Sequence, residues 1–213
     1  MSKPLFISFE GPEGAGKTTV LNILIAELQP KLGNKLVTTR EPGGNPISEA
    51  IRAILQPEDD NGLEKRTEAL LYAAARRQHL VEIIQPALAA GKVVISDRYV
   101  DSSLAYQGGG RDLGVEKIWQ INQFAIDGLL PDLTIYLDVP SELGLARVTA
   151  NRKGKIDRLD KESLAFHQKV RQTYLKLQSE FSDRIKIVDA TQPLDKVVHD
   201  TRELINKVLE DKS

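Results

Sequence analysis

Leu5-Phe6-Ile7-Ser8-Phe9-Glu10-Gly11-Pro12-Glu13-Gly14-Ala15-Gly16-Lys17-Thr18-Thr19 decides the fold. Its first six residues are mostly apolar and stop at Gly11-Pro12, the pattern of a short buried strand. From Lys17 onward Val20, Leu21, Leu24, Ile25 and Leu28 recur at helical spacing, and Pro30 and Gly33 are expected to close that helix. Between strand and helix, Gly11–Thr18 fits the pattern G-x-x-x-x-G-K-[S/T]. Glycines let such a loop curl until its backbone N–H groups point inward at an anion, and the positive end of the following helix adds to that field. Lys17 offers a cation to the β- and γ-phosphates, and Thr18 offers a hydroxyl to Mg²⁺. The stretch selects a nucleoside triphosphate without saying which reaction follows.

Working outward, strands are expected at 35–39, 92–96, 133–139 and 185–188, each separated from the next by helical spacing. Residues 40–46 read as a Pro/Gly loop, 47–55 as an amphipathic helix and 63–90 as a long helix. Helical spacing resumes over 99–106, is expected to break at Gln107-Gly108-Gly109-Gly110-Arg111, and returns over 115–129, 141–150, 161–181 and 194–209. Strands alternating with helices mean an α/β fold of the P-loop NTPase kind, a five-stranded parallel sheet flanked by helices. Length 213 gives a prior of about 1.4 domains, so one domain over 1–213, with the polar, basic stretch 151–160 as a short lid.

Composition narrows the function classes. The chain is 41% hydrophobic and 28% charged, an ordinary globular mix. Thirty acidic against 29 basic residues argue against a protein that wraps nucleic acid. The absence of Cys removes disulfides, thiol chemistry and Cys-based zinc. No apolar run is long enough for a membrane span, and the start lacks a signal-peptide pattern, so a cytoplasmic protein is expected. A guanine-reading N-K-x-D is missing, since Asn34-Lys35 and Asn206-Lys207 both lack the Asp. A small chain with a late basic loop suits a kinase of small molecules.

Several further stretches carry a resemblance. Thr39-Arg40-Glu41-Pro42-Gly43-Gly44, Asp97-Arg98-Tyr99, Ser102–Arg111 and Pro131–Asp138, together with Gly11–Thr19, resemble the bacterial thymidylate kinase family over nearly the whole chain. Asp97-Arg98-Tyr99 followed by Tyr106-Gln107-Gly108-Gly109-Gly110-Arg111 is far more specific than the phosphate loop. The resemblance implies the reaction ATP + dTMP ⇌ ADP + dTDP with Mg²⁺, in dTTP synthesis. It also implies ATP and dTMP as the partners, no nucleic acid or membrane, and a homodimer through the helices around 70–88 and 115–124. The alternatives are a P-loop kinase of another nucleotide or a deoxynucleoside, and a nucleotide-binding switch.

Asp97 and Arg98 end a strand, where open α/β sheets bind ligands. The resemblance makes Asp97, with Thr18, the magnesium-side group, and makes Arg98 and Arg40 ligands of the acceptor phosphate. Tyr72 and Arg76 share a helix face at i, i+4, which suits a base stacked on one and bonded at its edge by the other. The resemblance gives them the thymine, where Tyr72 stands in place of a more usual Phe. It further puts Ser103 and Gln107 at the thymine edge, Tyr106 near the sugar 2′ position and Glu13 at the 3′-hydroxyl. The ATP site is expected to comprise Gly11, Pro12, Glu13, Gly14, Ala15, Gly16, Lys17, Thr18 and Thr19, with Arg147 on adenine and Gln192 in the opposite wall. Some family members carry Arg where this chain has Gly14, so charge stabilisation falls to Lys17, Arg98 and the lid, with Arg158 ahead of Arg152. His79, His167 and His199 are scattered and receive no role, and the 118–125 stripe around Trp119 reads as core or subunit interface.

Overall fold

The computed structural model describes residues 3–57, 62–151 and 162–212. The strands are β1 (Leu5–Glu10), β2 (Leu36–Arg40), β3 (Val93–Asp97), β4 (Leu133–Asp138) and β5 (Ile185–Asp189). They pair in parallel in the order β2-β3-β1-β4-β5. The helices are α1 (Lys17–Leu32), α2 (Pro46–Leu55), α3 (Lys65–His79), α4 (Gln85–Ala89), α5 (Val100–Ser103), α6 (Val115–Ile126), α7 (Ser141–Asn151), α8 (Leu164–Glu180) and α9 (Leu194–Asp211). Both faces of the sheet are covered, so β1, β3 and β4 read as mostly apolar runs, interrupted by Ser8, Ser96 and Thr134 and ending on acids. Leu5, Ile7 and Phe9 pack with Val20, Leu24 and Leu28 of α1 and Val197 and Ile205 of α9. On the opposite face, Phe6 and Val94 pack with Leu80, Ile84 and Tyr99. Among the described residues, no helix is long and apolar enough to cross a membrane.

Topology and register place the site. The chain leaves β1 for β2, returns to β3 beside β1, and only then crosses to β4 on the other flank of β1. Connections diverge at the carboxyl end of β1, where such sheets leave a crevice. Phe9 pairs with Asp97, and Asp97 with Arg40. The phosphate loop, Asp97-Arg98 and Arg40-Glu41 therefore emerge at one level of one sheet edge.

Two expectations about elements need correction, at Pro30 and at Gln107–Gly110, and the long helix expected over 63–90 gains a detail. Pro30 lies inside α1, and Gly33, at φ 56°, ends it. The long helix persists through a π-helical turn at Leu80–Ile84, where Gln85 N–H reaches back to Leu80 O and Pro86, with no N–H to give, follows. Gln107–Gly110 does not break the helix: α5 continues through a π-helical stretch, Leu104–Gly110. These glycines serve packing. A Cβ on Gly109 would lie 2.0 Å from Thr173 Oγ1, and one on Gly110 2.6 Å from the Phe166 ring, both on α8.

Candidate active site

The phosphate loop turns on glycines. Gly14 has φ +73°, and a Cβ there would sit 2.1 Å from Gly144 O of α7, while one on Gly144 would sit 2.4 Å from Glu13 O. Loop and helix thus fit only as two glycines, and no arginine fits at position 14 in this chain. Lys17 is buried and donates from Nζ to Gly11 O at 2.8 Å and Pro12 O at 3.0 Å. Burial, then the positive charge of Arg98, lowers its pKa to about 8, with Glu13 and Asp97 acting against them. Beneath the loop, Glu10 is fully buried and accepts from Tyr99 N at 2.7 Å, Ser102 Oγ at 2.5 Å and Tyr174 Oη at 2.9 Å. Burial and the neighbouring Asp101 raise its pKa to about 7.

Arg98 follows β3 with φ 72°, a left-handed conformation that non-glycine residues seldom take. Its backbone is held there by Arg98 N–H to Phe9 O at 2.9 Å and by Ser96 Oγ donating to Arg98 O at 2.7 Å. The side chain turns back onto the loop and donates to Glu13 Oε1 at 2.7 Å, Gly11 O at 3.3 Å and Ser102 Oγ at 3.2 Å. Tyr106 donates to the same Glu13 oxygen at 3.0 Å, and burial pushes its phenol well up, so it stays a donor. The Arg98 guanidinium also lies 5.0 Å from the Tyr106 ring centroid.

A cavity of about 320 Å³ opens beside this group. Its walls bring together Glu13, Lys17, Thr18, Arg40, Tyr72, Arg76, Asp97, Arg98, Ser103, Tyr106 and Gln107. Asp97 and Thr18 suit a hard cation such as Mg²⁺, for Asp97 Oδ1 is buried with no hydrogen-bond partner and the Thr18 hydroxyl-bearing residue is exposed. Among the described residues there is no cluster of three or more His, Cys, Asp or Glu that could hold a metal ion.

Several of these side chains are already engaged. Arg40 is exposed and pairs with Glu49 at 2.6 Å. Arg76 is buried and donates to Glu41 Oε2 at 2.8 Å, Ser103 Oγ at 3.0 Å, Tyr99 O at 3.1 Å and Asn122 Oδ1. Gln107 donates to Glu68 Oε1 at 2.8 Å. Glu41, Asn122 and Glu68 escaped the sequence reading because their partners come from distant elements. The carboxylate of Glu41, next to Arg40 in the Pro/Gly loop, was the one visible signal.

Arg147 and Gln192 are not brought into this cavity. Arg147 donates to Ala190 O at 2.9 Å and Gly14 O at 3.5 Å, bridging the phosphate loop and the segment after β5. Gln192 donates to Asp189 Oδ2 at 2.9 Å. The remaining loop residues Pro12, Ala15 and Thr19 shape the turn and start of α1. The expected lid, with Arg152 and Arg158, lies outside the described residues.

The thymidylate kinase family model matches residues 9–201. The chain belongs to the thymidylate kinase family. A thymidylate kinase of Leuconostoc mesenteroides subsp. mesenteroides is 81% identical over 213 residues, covering 100% of both chains. One of Leuconostoc citreum is 79% identical over 209 residues, covering 98% of each. A crystal structure of thymidylate kinase from Ehrlichia chaffeensis superposes with a TM-score of 0.78 at 32% identity, covering 96% of this chain and 99% of that one. Family membership accounts for the parallel sheet, the phosphate loop and the strand-end arginine together.

Proposed function

We propose that this family member phosphorylates dTMP to dTDP with ATP, as part of dTTP synthesis, in the cavity described above. The observation that carries the placement is the shared wall. Lys17 and Thr18 of the phosphate loop face the same space as an aromatic ring, Tyr72, and a hydrogen-bonding edge, the Ser103 hydroxyl and the Gln107 amide. Donor phosphates and a base therefore fit in one cavity, with Arg98 and Arg40 between reach of loop and acceptor. Two arginines favour an acceptor that already carries a phosphate over a free deoxynucleoside.

The acceptor phosphate oxygen is anionic at neutral pH and attacks the γ-phosphorus in line, so no strong base is required. Lys17 binds the donor phosphates; Arg98 holds the acceptor phosphate and, with the lid residues Arg158 and Arg152, balances charge on the moving phosphoryl group. Thr18 and Asp97 would hold Mg²⁺, which neutralises phosphate charge when bound. Glu13 accepts the sugar 3′-hydroxyl, and Tyr106 crowds the 2′ position. The enzyme works as a cytoplasmic homodimer through α3 and α6, supported by the bare apolar side chains of Leu70 and Phe124, which are 55% and 92% exposed.

A coupled ADP-release assay over dTMP, dUMP, dCMP, purine monophosphates and thymidine tests the reading. Fast release with dTMP and background release with thymidine is expected. Release that ignores the acceptor, or that prefers thymidine, would replace it.

A further inference from the structure

His79 ends α3 and is fully buried. Its Nδ1 lies 2.9 Å from Glu41 Oε1, and its Nε2 lies 2.6 Å from Thr39 Oγ1. A carboxylate only accepts, so Nδ1 carries the proton, and Nε2 can then accept the Thr39 hydroxyl. The other oxygen of Glu41, Oε2, accepts from Arg76 Nε. Thr39, His79, Glu41 and Arg76 thus form one hydrogen-bonded line, half-buried at Thr39 and buried from His79 onward, and Glu41 and Arg76 are its members at the cavity wall.

Two further features converge on the imidazole. The loop after β2 lies against the ring, since a Cβ on Gly44 would come within 3.0 Å of His79 Cδ2. The π-helical turn begins at Leu80, directly after His79, and such turns concentrate at functional sites. We propose that His79 is a positioning residue for the acceptor: it orients the Glu41 carboxylate, which aims the Arg76 guanidinium and ties the loop carrying Arg40 to α3. This rests on the reading of the Arg76 wall as the dTMP site.

Two near-isosteric variants separate positioning from filling. His79→Asn leaves a donor near the place of Nδ1 and gives up Thr39. His79→Gln reaches the place of Nε2 and gives up Glu41. His79→Gln should raise KM for dTMP about tenfold with KM for ATP and kcat within about twofold, while His79→Asn, which gives up only Thr39, should raise KM for dTMP about threefold. Equal KM values for dTMP in the two variants, or a parallel rise in KM for ATP, would overturn the proposal. Thr39→Val, a gentler change should His79→Gln fail to fold, should raise KM for dTMP about threefold, and no rise would equally overturn it. Arg76→Ala is measured alongside. An unchanged KM for dTMP there brings down the base-edge reading and the route from His79 to the acceptor. A raised KM there with His79→Gln unmoved brings down the role of His79 alone.

Discussion

At the scale of single residues, Lys17 combines a fixed place with a movable charge. Nζ sits between Gly11 O and Pro12 O, and burial lowers its pKa to about 8. Only the protonated amine attracts phosphate, so capture of ATP should weaken as pH rises through that value. We expect kcat/KM for ATP, which reports the free enzyme, to fall above pH 8 with Lys17 intact. Lys17→Arg, whose guanidinium keeps its charge, should remove that fall even if its overall rate is poor. A flat profile to pH 9.5 with the native Lys17 would mean that its charge is held by other means. Lys17→Met should abolish transfer while the protein keeps its melting temperature; near-normal turnover would remove the loop from the reaction. The sign for folding is opposite: a lysine with a lowered folded pKa makes the protein more stable as pH climbs from about 8 toward 10.5. A pH-dependent loss of rate there cannot be unfolding caused by Lys17.

At the scale of elements, strands were easier to read than the functional helix. β1, β3 and β4 are buried on both faces, so their apolar runs declare themselves locally. Leu104–Gly110 hid its helix because three glycines normally interrupt one, and the reason for Gly109 and Gly110 lies on α8, some sixty residues away. Gly109→Ala tests this. Its Cβ would collide with Thr173 Oγ1 at 2.0 Å, so the mutant should lose about 1–3 kcal/mol of stability. Thermal unfolding should therefore shift down by several degrees, and Gly109→Ala combined with Thr173→Ala should recover part of the loss. A Gly109→Ala protein as stable as the original would show that α8 does not need the close approach. His79 was illegible for the same kind of reason. Nothing near it in sequence is a ligand, and Thr39 and Glu41 reach it only once β2 has been laid against α3. The helix face shared by Tyr72 and Arg76 was legible from i, i+4 spacing, but the four protein partners of Arg76 were not.

At the scale of the whole molecule, the switch from β2 and β3 to β4 around β1 makes the crevice, and α3 walls it with α6 packed behind. The same two helices carry exposed Leu70 and Phe124, while Asn122 of α6 grips Arg76 and Arg77 donates to Ala125 O. A subunit interface there would brace the acceptor wall from behind. Phe124→Arg should convert a dimer to monomers by light scattering; a monomer in the unmodified protein would remove that interface. In the proposed reaction dTMP occupies the cavity bounded by Tyr72, Arg76, Arg98 and Tyr106. The most direct measurement is a crystal structure of the chain grown with dTMP. The base is expected against Tyr72 with its edge toward Arg76, the 3′-hydroxyl on Glu13, and the phosphate on Arg98 facing Lys17. Density for dTMP outside this cavity, or with its phosphate turned away from Arg98, would contradict it.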